Sequence, residues 1–171
     1  MKKYPLAILF ASALVSMTSL AHAGEVKVTW QDPDKYTDIR PTSETREAFQ
    51  QRVTKELDAV FQDLAKKLPD GVQWEVTVTD LDLAGDVRPS QGARINDIRI
   101  VKDLYWPRIS LHHKMTDSSG KVLAEATEDI KDMNFLMSSM IPSGHTSLQY
   151  EEKMLTDWFK KQQREHIFPS K

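Results

Sequence analysis

The sequence predicts an α+β fold: a single, mostly antiparallel sheet of about five strands with two amphipathic helices packed on one face. Three stretches carry that prediction. From Phe49 to Leu68 apolar residues recur at spacings of three and four, the signature of a helix with one buried face. From Val72 to Val78 apolar and polar residues alternate, as in a strand with one buried face. From Ile109 to Ile130 two strand-like runs flank Asp117-Ser118-Ser119-Gly120, a hairpin turn. The expected order is β-α-β-β-β-β-α.

Residues 1–23 read as a secretory signal peptide. Lys2 and Lys3 give a positive start, Leu6 to Val15 a short apolar run, and Ala21-His22-Ala23 a small-residue cleavage site before Gly24. The apolar run is too short to span a membrane, and no later run approaches the roughly 18 apolar residues a spanning helix needs. The expectation is an exported, periplasmic protein with one globular domain over residues 24–171. A chain of that length buries roughly 68–70% of its unfolded surface, enough for one self-sufficient core. The sequence has no cysteine. That leaves no thiol for a lipid anchor at the cleavage site, and no disulfide to brace an exported domain. Loss of Lys2 and Lys3 takes the formal net charge from −2 to −4. A mildly acidic domain lacks the basic footprint of a nucleic-acid binder.

Glu25 to Trp30 alternates, with Val26, Val28 and Trp30 on one face, and reads as the first strand. Asp32-Pro33 opens a turn, and Pro41 disfavours helix at Arg40. Thr42 or Ser43 is the expected cap of the first helix, with Glu44 and Glu47 near its positive end. Its stripe is Phe49, Val53, Leu57, Val60, Phe61, Leu64 and Leu68, and Pro69 and Gly71 end it. In the strand that follows the phase changes after Thr79. Leu81 and Leu83 fall on the formerly polar face, and Asp80 and Asp82 on the formerly apolar one. Either a bulge shifts the chain by one position or the strand end is buried between two layers. Asp86 to Gly92 reads as a polar loop, Ile95 to Val101 as a strand, and Pro107 as a break before the hairpin strands. Met133 to Ser147 is irregular. Thr146 or Ser147 is the expected cap of a last helix built on Leu148, Met154, Leu155, Trp158 and Phe159, with Lys160, Lys161 and Arg164 at its negative end.

Six stretches together resemble a known family: Val28-Thr29-Trp30 with Asp32-Pro33; Tyr36-Thr37-Asp38-Ile39-Arg40-Pro41; Val78 to Gly85; Tyr105-Trp106-Pro107-Arg108; Lys131 to Phe135; and Glu152 to Phe159. In this order they are similar to domain-of-unknown-function family 3016, a group of exported proteobacterial proteins. The resemblance implies one exported domain and assigns no activity or catalytic residue.

Candidate chemistry centres on an acidic set, Asp32, Asp34 and Asp38 in the first loop with Asp80, Asp82 and Asp86 near the end of the second strand. If the first two strands are neighbours, these carboxylates can converge. Clustered carboxylates suit a calcium ion, although the EF-hand pattern fails at Ala84 and Gln91. They also suit acid–base work if their pKa values are pushed apart. The competing reading is structural, since Arg40, Arg94, Arg99 and Arg108 supply forks for carboxylate pairing. Met133, Met137 and Met140 with His145 form a thioether-rich stretch that suits either Cu(I) or adaptable packing. His112 and His113 are adjacent on a strand and point to opposite faces, so they cannot share one ion there. No phosphate loop, nucleophile elbow or zinc-protease motif occurs.

These observations predict a non-catalytic interaction or ligand-binding domain of the cell envelope, with no cofactor. Its partner would be an envelope protein or a small ligand. The expected binding residues are Trp30, Asp32, Tyr36, Asp38, Arg40, Asp80, Asp82, Tyr105, Trp106 and Arg108. For Trp106 and Arg108 the competing role is a core ring and an arginine paired with Asp80 or Asp82. Two alternatives remain: a metal-dependent or acid–base enzyme using Asp32, Asp38, Asp80 and Asp82, and a copper protein using Met133, Met137 and Met140.

Overall fold

The computed structural model describes residues 24–89, 97–137 and 147–171. The expected signal peptide, Arg94, Ile95, Met140, His145 and Thr146 lie outside them. The elements are β1 (Glu25–Trp30), α1 (Arg46–Ala65), β2 (Gln73–Asp82), β3 (Asp86–Arg88), β4 (Ile98–Ile100), β5 (Arg108–Thr116), β6 (Val122–Lys131) and α2 (Gln149–Arg164). The architecture is α+β.

The main sheet has four strands in the order β1-β2-β5-β6. Its first pair is parallel, Val28 opposite Val76, and the other two pairs are antiparallel. The sheet is therefore mixed. A 20-residue helix between β1 and β2 carries the chain back to its starting end, which a hairpin cannot do. The remaining strands form a separate two-stranded antiparallel ribbon, with Val87 opposite Arg99. Asp86–Arg88, expected as loop, is thus a strand. Three residues are too few for a visible period, and its partner alone reveals it.

The expected apolar stripe of α1 is buried throughout. The helix starts later than expected, because Thr45 rather than Thr42 or Ser43 caps it, accepting the Ala48 N–H at 3.2 Å. In α2 the residue before the first turn is Leu148, with no side-chain cap. Ser147 instead bonds Arg52 and Glu56 of α1. Both helices cover the same sheet face, meeting at Trp74. Its ring touches Phe61 of α1 at 5.6 Å, Trp158 and Phe159 of α2 at 6.3 and 5.6 Å, and Phe168 at 5.9 Å. His113 of β5 lies in this layer, edge-on to Phe168 and Trp158. The opposite face is polar and uncovered by either helix. One row across it runs Lys27, Glu75, Lys114, Glu125, alternating in sign.

The phase change in β2 is a bulge. The register with β5 shifts between Val78 and Asp80, leaving Thr79 as the additional residue. Leu81, opposite Ile109, therefore stays on the buried face with Val78, and Asp80 and Asp82 turn to the polar face. The bulge places two carboxylates at the end of the central strand without burying either in the core.

Candidate functional site

The bulge, the loop after β1 and the bend before β5 meet at one end of the sheet. An isolated bridge joins Asp38 to Asp82, and Asp38 donates its N–H to Leu81 at 3.0 Å. Gly85 donates its N–H to Tyr105 at 2.9 Å. Gly85 has φ +91°, and a Cβ there would stand 2.9 Å from the Ile100 carbonyl, so only glycine lets the ribbon close over the site. Together these elements enclose an open cleft of about 350 Å³ lined by Thr37, Asp38, Arg40, Asp82, Gly85, Asp86, Leu104, Tyr105, Trp106 and Arg108.

Six of the ten expected binding residues line this cleft: Asp38, Arg40, Asp82, Tyr105, Trp106 and Arg108. Asp80 stands behind it, its carboxylate accepting both the Thr37 N–H at 2.7 Å and the Thr37 hydroxyl at 2.6 Å. The other three belong elsewhere. Trp30 is on the inner face and donates its indole N–H to Asp58 of α1. Asp32 is exposed and pairs with Lys35 at 2.9 Å. Tyr36 is a core residue that donates its hydroxyl to the Val78 carbonyl at 3.0 Å, beside the bulge. Burial, with the nearby Asp80 charge, pushes its pKa up to about 12. Each has the right residue type, but its local backbone aims it away.

The carboxylates are mostly committed to arginine. Asp38 is held by both arms of Arg99, at 2.8 and 3.3 Å, and both side chains are largely buried. Arg99 also donates to the Ala84, Gly85 and Arg40 carbonyls, tying three segments together. Arg108 lies 3.4 Å from Asp80 and 3.7 Å from Asp82. Asp82 accepts no hydrogen bond among the described residues. Burial pushes its carboxyl up, Arg108 opposes this, and the Asp38 and Asp80 charges add to it. Trp106 is half-buried rather than a core ring, and it has neither a ring partner nor an indole hydrogen bond among the described residues. The Arg40 guanidinium likewise binds nothing among them. Tyr105 is fixed, accepting from Arg88 at 2.6 Å.

The acidic set converges only in part, with Asp38, Asp82 and Asp86 lining the cleft and Asp80 behind it. Asp32 and Asp34 turn outward to Lys35 and Arg46, and Asp86 pairs with Arg88. Among the described residues no three His, Asp or Glu side chains are grouped to hold a metal ion. Met133 and Met137 are both exposed.

Two site residues escaped the sequence reading. Thr37 was visible only as part of the second family-like stretch. Glu151 sits in the first turn of α2, 3% exposed, accepting the Ala84 N–H at 2.7 Å. Its signal was available, since a glutamate three residues after Leu148 and four before Leu155 falls on the apolar stripe.

Fold and cleft together define a small α+β protein with one helix-covered sheet face and a polar cleft at the sheet's end. The chain belongs to family DUF3016, described as a protein of unknown function, which matches residues 24–161. No curated protein and no solved structure matches it. No helix among the described residues is long and apolar enough to cross a membrane.

Proposed function

We propose that the protein is an exported, non-catalytic ligand-binding domain of the cell envelope, and that the cleft at the end of β2 is its site. The observation that carries this is a set of loosely held groups around one hollow: the ring of Trp106, the carboxylate of Asp82 and the guanidinium of Arg40. A buried polar side chain serving only the fold finds hydrogen-bond partners within it. Among the described residues Trp106 and the Arg40 guanidinium have no partner and Asp82 has only Arg108 at 3.7 Å, while their neighbours Asp38, Asp80 and Tyr105 are tied down by hydrogen bonds. Ligand sites combine this kind of exposed aromatic surface with a few fixed polar groups. The acid–base alternative retains one supporting observation, the raised Asp82 carboxyl at the cleft wall.

Crosslinking capture from intact cells tests the reading. The wild-type protein, isolated with an N-terminus at Gly24, is expected to retain a small ligand or an envelope partner. Trp106→Ala and Asp82→Asn are expected to lose it at an unchanged melting temperature. Equal capture by both variants, or retention of residues 1–23 in the cytoplasm, overturns it.

A further inference from the structure

A second cavity, of about 180 Å³, lies on the other side of Arg40, between α1, the β2–β3 turn and the start of α2. Its walls include Phe49, Leu83 and Leu148, all buried and apolar. Three arginines and a glutamate also face it, and pairing within the fold removes most of that charge. Arg99 is committed to Asp38 and to backbone carbonyls. Arg52 is committed to Glu44 at 2.7 Å, to Glu56 at 3.2 Å and to the Ser147 hydroxyl at 2.7 Å. One cation and one anion remain. Arg40 is exposed, and its guanidinium meets nothing among the described residues. Glu151 is buried, and although it accepts the Ala84 N–H, no cation stands within ion-pair distance of it among the described residues. A buried carboxylate whose nearest cation, Arg99, acts from beyond ion-pair distance and is already paired with Asp38 is costly, so a ligand cation placed beside it is favoured.

At about 180 Å³ the cavity falls below the roughly 300–1,000 Å³ of drug-sized ligand sites. That is too small for a drug-sized ligand or a peptide. From these observations we propose that the cavity binds a small zwitterion, an α-amino acid with a small apolar side chain. Its ammonium group pairs with Glu151, its carboxylate is forked by Arg40, and its side chain lies against Phe49, Leu83 and Leu148. The site is separate from the Trp106 cleft and shares only Arg40 with it.

Calorimetric titration of the full-length protein with L-alanine, L-valine and L-leucine tests this, with isobutylamine and 3-methylbutanoate as valine analogues lacking one charge each. At least one amino acid is expected to bind, and each valine analogue to bind about tenfold more weakly than valine or worse, the size of one lost charge-assisted bond. Arg40→Met should weaken amino-acid binding by a similar factor without moving the melting temperature, because that guanidinium anchors nothing. Glu151→Gln keeps an acceptor for Ala84 and should weaken binding as well; if it fails to fold, Arg40→Met decides. Trp106→Ala should leave amino-acid binding unchanged. Absence of binding by all three amino acids, equal binding by either analogue, or wild-type affinity in Arg40→Met overturns the proposal.

Discussion

Asp38 and Asp82 are bridge partners at one sheet end, yet the fold treats them differently. Asp38 and Arg99 are largely buried, bidentate and tied to three carbonyls. Removing one partner of such a pair strands a charge, so Arg99→Met is expected to cost about 3 kcal/mol, read as a drop in the urea midpoint. Arg108 meets its acids at 3.4 and 3.7 Å with a third of its side chain exposed. Arg108→Met should therefore cost under about 1 kcal/mol. A reversed order of the two variants would show that the sheet end is held by Arg108 instead. The pairing of these acids with arginine was legible in the sequence, because ionised carboxylates in a sheet need partners and few other cations were near. Which arginine serves which acid was not. That depends on a ribbon whose strands, Asp86–Arg88 and Ile98–Ile100, are too short to show a period. The choice between cleft and core for Trp106 was open for a related reason, since a tryptophan beside Pro107 has no local pattern to reveal its facing.

At the scale of elements, Thr79 decides which face of the sheet carries charge. It is the additional residue of the bulge, and its hydroxyl donates to the Ser110 carbonyl at 3.2 Å. Because side chains alternate along a strand, a one-residue slip exchanges the faces. With Thr79 kept in a straight ladder, Asp80 and Asp82 would turn towards the helix layer and Leu81 outward; deleting Thr79 instead makes Val78, Asp80, Leu81 and Asp82 contiguous against Leu111, Ser110, Ile109 and Arg108, each on its present face. The deletion variant is expected to keep cooperative unfolding and its near-ultraviolet circular dichroism at neutral pH. Loss of cooperative unfolding in that variant would mean that the sheet end needs the bulge itself and not only the alternation it preserves. The break in alternation was plain in the sequence, as were the α1 stripe and the β5–β6 hairpin, since all three are periodic signals. The parallel pairing of β1 with β2 was less plain, because period shows a strand but not its neighbour's direction. Trp74 could be placed on a buried face, but its role as the meeting point of both helices depends on Trp158, Phe159 and Phe168, which are remote in sequence. Trp74→Ala should cost about 4 kcal/mol by equilibrium unfolding.

For the whole molecule, the uneven treatment of the two sheet faces sets how stability depends on pH. His113 is 1% exposed beneath Trp158 and Phe168, and neither ring nitrogen has a hydrogen-bond partner among the described residues. Burial, with His112 adding a smaller push, lowers its pKa from 6.5 to about 4. The neutral ring is therefore the folded form, and the unfolded chain takes up the proton first. Its contribution is fully present above about 6.5, falls as pH drops, and is gone below about 4. Between pH 7 and pH 5 the loss amounts to about 2 kcal/mol. Glu151 and Asp82 act in the opposite sense. Burial raises both carboxyls, so the folded state binds their protons more readily, and their contribution grows as pH falls through the raised values. The wild-type urea midpoint should accordingly fall from pH 7 to pH 5. In His113→Leu, which leaves the layer apolar, the midpoint should hold level or rise over the same interval, because the buried imidazole is gone and the raised carboxyls remain. A parallel fall in both proteins would place the acid sensitivity outside the His113 site and overturn this account.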